Sequence, residues 1–156
     1  MGRQARQGDV LTVPGPRISP PTIPLDSRAR LWLALAAASG FIAVAAGAFG
    51  AHGLEGRVGA AEIAAFETGA RYQMYHALAL IAVAWLAARG DAPRAIAFAG
   101  WAFVVGTVLF SGSLYVLALT ASRALVWLTP IGGLAFLAGW AGLFVAAPRL
   151  TTGRPD

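Results

Sequence analysis

The sequence predicts an all-α membrane protein, a four-transmembrane-helix bundle with an interfacial helix between its first and second spans. Three observations carry that expectation. Apolar runs cover residues 31–51, 72–88, 95–119 and 125–147, each near the roughly 20 residues a helix needs to cross a bilayer core. Lipid offers the backbone no hydrogen-bond partner, so such runs cross only as helices or closed barrels. Barrel strands are about half as long and alternate in polarity, and these runs do neither. Finally, 58% of the 156 residues are hydrophobic against 12% charged, outside the range of soluble domains.

Residues 1–30 read as a disordered, Pro- and Arg-rich cytoplasmic tail: GDVLTVPGPRISPPTIPLDSRAR has neither helical nor strand periodicity. Residues 31–150 form the four-span membrane domain. A rival reading makes residues 1–48 a signal peptide with AVAAGA as its cleavage site. The length of the first apolar run favours a retained span.

Span one places Ala36, Gly40, Ala43, Gly47 and Gly50 at alternating steps of four and three, which keeps small side chains on one face. Span four repeats the device with Gly132, Ala135, Gly139, Gly142 and Ala146. Helices in lipid associate by close contact between such faces. Between spans one and two, AAEIAAFETGARYQMYHALAL reads as an interfacial helix leading into the membrane. Glu67 precedes Arg71 by four residues, the better order for a helical ion pair. Pro130 falls within the first turns of span four, where proline is tolerated. Trp32, Trp85, Trp101, Trp127 and Trp140 lie mostly near span ends and read as an aromatic belt.

Arginine sets the expected orientation, since the chain has no Lys. Arg3, Arg6, Arg17, Arg28, Arg30, Arg89, Arg94, Arg149 and Arg154 fall on one side, and Arg57, Arg71 and Arg123 on the other. Positive charge is retained inside, which puts both termini in the cytoplasm. The net charge of +5 is spread over loops and tails, not gathered on one face, so no nucleic-acid partner is expected. Membrane lipids are the expected partners, with a homo-oligomer or a larger membrane complex.

On that topology the polar side chains converge near the outer leaflet. The candidate polar cluster is His52, Glu67, Arg71, Tyr75, His76, Ser111, Tyr115 and Thr129. Thr107, Ser111 and Tyr115 step by four toward it, and such groups usually face the bundle interior and pair with one another. His76 is expected to find its hydrogen-bond partner on span three, in Tyr115 or Ser111. A b-type haem needs opposed ligands at one depth, and His52 and His76 are offset. Zinc needs three or four ligands, and with no Cys only Glu55 or Glu67 could join the two His. No catalytic, metal or cofactor-binding residue is assigned, and no cofactor is expected. A nucleophile–base–orienter set and a phosphate loop are both missing from the sequence, so the expectation is a protein that is not an enzyme. Two roles stay open: a non-enzymatic structural or complex-associated membrane component, and a small-molecule or proton transporter module built on the His/Tyr/Arg cluster.

Four blocks, GAFGAHGLEG, FETGARYQMYHALALI, FSGSLYVLALT and LTPIGGLAFLAGWAGL, resemble in order the YgdD family of small inner-membrane proteins. That family is domain-of-unknown-function family 423, similar to the transmembrane protein 256-like proteins. The resemblance covers about residues 31–147. It implies a multi-pass protein of the bacterial inner membrane whose first span stays attached, and it carries no activity, substrate or cofactor. The matching positions are Gly47, Phe49, Gly50, Ala51, His52 and Gly53, then Tyr72, Gln73, Tyr75 and His76, and lastly Ser113, Tyr115, Thr129, Pro130, Gly132 and Gly133. The Pro-rich tail departs from the compact family pattern, as either a local extension or the product of a start codon assigned too far upstream.

Overall fold

The computed structural model describes residues 26–90 and 93–149; the expected tail lies outside them, except residues 26–30. Asp26 caps the first helix, its side chain accepting from the Ala29 amide at 2.7 Å, and α1 runs Ser27–Gly53. A short connection turns at Gly56, whose φ of 71° suits a residue without a Cβ. α2 then runs Ala60–Arg89 and stops at Gly90, a left-handed residue whose amide donates to Ala87 O at 3.2 Å.

A third helical rod is built of α3 (Pro93–Gly106), a π-helical turn (Thr107–Ser111) and α4 (Gly112–Thr120). α5 covers Leu128–Ala146, with Pro130 inside its first turn, and a 3-10 turn follows at Ala147–Arg149. Among the described residues there is no strand.

Three segments are long and apolar enough to cross a membrane: Ser27–Gly53, Arg94–Thr120 and Leu128–Ala146. α2 carries Glu62, Glu67 and Arg71 in its first turns. The stretch expected as an interfacial helix leading into span two is continuous with that span in one 30-residue element. No glycine or proline pair interrupts it between Arg71 and Tyr72, so nothing in the backbone separates the two segments. At about 1.5 Å per residue α2 is roughly 45 Å long, longer than a ~30 Å hydrocarbon core.

α1 lies along α2, and α3 along α5, with α2 also meeting α4 and the π turn. Both small-residue faces turn inward. Gly40 sits over Ala77, Gly50 over Phe66, Gly132 over Phe110 and Gly139 over Phe103. One core cluster gathers Trp32, Leu80, Val83, Ile96, Phe103 and Phe136; a second, at the other end, holds Leu54, Phe66 and Ala118. Trp32 is therefore a core residue and not part of the belt: its ring lies against Gly100, where a Cβ would come within 2.7 Å. Large apolar side chains point outward, among them Phe41 at 76% and Phe144 at 80% exposure.

Candidate functional site

Between the two core clusters lies a band of buried polar side chains, built where α2 meets its neighbours. Gly69 lets the third rod come close. A Cβ there would lie 3.0 Å from the Tyr115 ring and 3.3 Å from Ser111 O. Ser111, with no exposed surface, uses the approach to donate from Oγ to Gly69 O at 2.8 Å.

One helical turn on, Gln73 joins three helices. Its Nε2 donates to Ser39 O on α1 at 3.1 Å, and its Oε1 accepts from the Tyr115 hydroxyl at 2.9 Å. An apolar interior makes such bonds directional locks, since an unmade one leaves a buried group unsatisfied.

His76 faces a different neighbour. Its Nδ1 lies 2.8 Å from Tyr72 O, and a carbonyl only accepts, so Nδ1 carries the proton. Nε2 is then a lone pair and accepts from Trp140 Nε1 on α5 at 3.3 Å. The imidazole stacks on Phe136, with centroids 3.5 Å apart and planes within 2°. Both ring nitrogens are occupied and the imidazole is neutral. The partner expected on span three is instead an indole on α5, because α5 flanks this face of α2 while Ser111 and Tyr115 reach α2 at Gly69 and Gln73.

A third link ties the rod to α5. Ser113 Oγ donates to Phe110 O at 2.9 Å and lies 2.7 Å from Thr129 Oγ1. The serine proton is already given to the carbonyl, so Thr129 donates to Ser113.

The structure thus divides the expected cluster. Ser111 and Tyr115 meet at α2, His76 meets α5, and Thr129 meets Ser113. His52 and Arg71 are exposed, and Tyr75 is 52% exposed with its ring beside Tyr72. Glu67 and Arg71 form no ion pair among the described residues; the Glu67 stem leans on Gly50 of α1 instead. Gln73, Trp140 and Ser39 were not in the expected cluster. Gln73 was visible at three residues before His76, on the same helical face, and Trp140 was visible as an indole in mid-helix.

Two recesses flank the polar band. One, of about 680 Å³ between α2 and α5, is walled by Tyr72, Phe110, Phe136 and Trp140 with His76 at its back. The other, of about 390 Å³, opens between α1 and the π turn. Beside it lie Ser39 Oγ and Thr107 Oγ1, buried and without a hydrogen-bond partner. Each such hydroxyl costs ~1–3 kcal/mol if left unsatisfied.

These features define a class: an all-helical protein with an apolar exterior, helices of membrane-crossing length, and polar side chains spent on bonds between helices. Residues 46–133 match the family model "Protein of unknown function (DUF423)", and the chain belongs to that family. It is 48% identical over 124 residues to the UPF0382 inner membrane protein YgdD of Escherichia coli, covering 78% of this chain and 92% of the relative. It is 44% identical over 120 residues to the UPF0382 membrane protein YwdK of Bacillus subtilis, covering 77% of this chain and 98% of the relative. A UPF0382 membrane protein of Haemophilus influenzae is 47% identical over 112 residues, 72% of this chain and 89% of the relative. No solved structure matches.

Proposed function

We propose that the protein is a non-enzymatic component of the bacterial inner membrane, crossing it four times with both termini in the cytoplasm and associating with lipid or a larger complex. The carrying observation is that the buried polar side chains of α2 are committed to neighbouring helices: Gln73 to Ser39 and Tyr115, His76 to Trp140, and the Gly69 carbonyl to Ser111. A proton relay needs a group that gains and loses a proton along a path. Protonating His76 at Nε2 would set an N–H against the Trp140 N–H and break that bond. The alternative, a transporter module, would have to dismantle this lock in every cycle. The inner-membrane placement follows the name of the Escherichia coli relative and the arginine asymmetry.

Purified protein in liposomes carrying an internal pH dye tests the reading. Proton entry under an imposed gradient is expected to match that of empty liposomes. A flux that rises with protein content and disappears in His76→Ala would overturn it.

A further inference from the structure

Arg89 does more than mark one end of the bundle. It closes a recess of about 520 Å³ between α1 and α2, lined also by Leu33, Ile81, Ala84, Trp85 and Ala88. Arg89 is the last residue of α2, and Ile81 stands about two turns before it. At about 1.5 Å per residue the recess reaches roughly 12 Å inward from the helix end. Leu33 and Ile81 are exposed apolar walls, and the small Ala84 and Ala88 leave room between them.

The cation at its mouth is held in place. The Arg89 guanidinium lies 4.8 Å from the centre of the Trp85 ring. A guanidinium on an aromatic face keeps its N–H fork free for a phosphate, which it binds through two parallel bonds. No lining residue is acidic. Around the recess, Arg28, Arg30 and Arg94 are exposed at the same end. Against these arginines stand Asp26, whose side chain accepts from the Ala29 amide, and Asp91 of the connection. The recess near the start of α2 is different: there Arg71 shares the lining with Glu67, so the charge is balanced.

We propose that the recess between α1 and α2 seats an anionic phospholipid, with the Arg89 guanidinium holding its phosphate at the helix end and Leu33 and Ile81 flanking its acyl chains. The depth fits such a molecule, whose headgroup lies at the boundary and whose chains point into the hydrocarbon core. The volume lies within the range of small-molecule sites. A lipid of net negative charge is favoured over a zwitterionic one, because the ammonium of the latter meets the same arginines. A neutral lipid leaves the guanidinium without its anion.

The proposal rests on the membrane-spanning reading, and the two fail separately, since fusion topology reports the spans and lipid titration reports the recess. Full-length protein in a neutral maltoside detergent is titrated with dioleoylphosphatidylglycerol, dioleoylphosphatidylethanolamine or inorganic phosphate. Retained lipid is counted by native mass spectrometry, and melting temperature is read in parallel. Wild type is expected to retain phosphatidylglycerol over phosphatidylethanolamine, with an upward melting shift, and to ignore inorganic phosphate. Arg89→Gln removes the charge, and Ala88→Phe fills the recess without touching a charge. Each should retain one phosphatidylglycerol fewer and bind it at least about fivefold weaker. Arg71→Gln should match wild type. Equal retention of the two lipids, wild-type retention by Ala88→Phe, or an equal loss in Arg71→Gln overturns the proposal. So does a shift produced by inorganic phosphate alone, or a dimer that retains no lipid. Positions 88 and 89 are exposed, so both variants should melt with wild type when no lipid is added. A lower melt of both would assign these side chains to the fold and overturn the proposal as well.

Discussion

Gln73 and Arg71 sit two positions apart on α2, yet their weights in the fold differ sharply. Gln73 is 5% exposed and bonds to α1 and α4 at once, so Gln73→Leu strands the Tyr115 hydroxyl in an apolar interior. A loss of ~1–3 kcal/mol is expected, read as a lower melting temperature in detergent. Arg71 is exposed and unpaired among the described residues, so Arg71→Ala should stay within about 0.5 kcal/mol of wild type. His76→Ala removes a stacked ring with its indole bond and should exceed Arg71→Ala clearly. Trp140→Phe isolates the bond: the ring stays and the Nε1–H goes, for a loss of ~1 kcal/mol. Equal melting of His76→Ala and wild type would contradict this account of the buried imidazole. The polarity of these side chains was legible in the sequence, and their pairing was not. Burial demands a partner for His76, but which helix supplies it depends on how α5 lies against α2.

At the scale of the helix, the small-residue faces were legible from spacing alone, and both turn inward. What spacing does not give is how close each contact is. Gly47 has nothing within 4 Å of where a Cβ would stand, whereas at Gly132 a Cβ would run into the backbone of Phe110 in the π turn. Gly47→Ala should therefore be neutral, or stabilising by up to ~1 kcal/mol through helix propensity. Gly132→Ala has no flexible side chain to push aside and should destabilise by ~1–3 kcal/mol. Gly139→Ala meets the fully buried Phe103 ring at 2.5 Å and should fall on the same side. Thermal melts of the three variants in one detergent check the order. The π turn itself had no signature in the sequence, since TVLFS contains neither proline nor glycine. Its position follows from tertiary fit: it brings the Phe110 backbone onto Gly132 while Ser111 reaches Gly69.

For the whole molecule, orientation is the property that membrane-crossing helices leave unspecified, because a bundle of this kind is equally apolar from either direction. The distinction has to come from the ends. Arg89 closes α2 with its guanidinium 4.8 Å from the ring centre of the 60%-exposed Trp85, an arrangement suited to an interface of lipid and water. Arg94 opens the next segment at the same end, and Arg28 and Arg30 stand in the first turn of α1. The opposite end has Arg57, with Glu55 beside it, and Arg123. α2 adds a constraint of its own. Its length exceeds the hydrocarbon core by about ten residues, and three of its four charges, Glu62, Glu67 and Arg71, fall in its first twelve residues, so on the proposed topology the excess belongs at the end that carries Arg57. In the proposed topology, retained positive charge and the protruding start of α2 both point the same end toward the periplasm. Alkaline phosphatase, active only after export, is expected to be active when fused after Gly56 or Ser122 and inactive after Asp91. Strong activity at Asp91 with silence at the other two would invert the molecule. Activity at Gly56 and Asp91 together would mean that α2 does not cross, leaving the three segments that qualify on hydropathy alone.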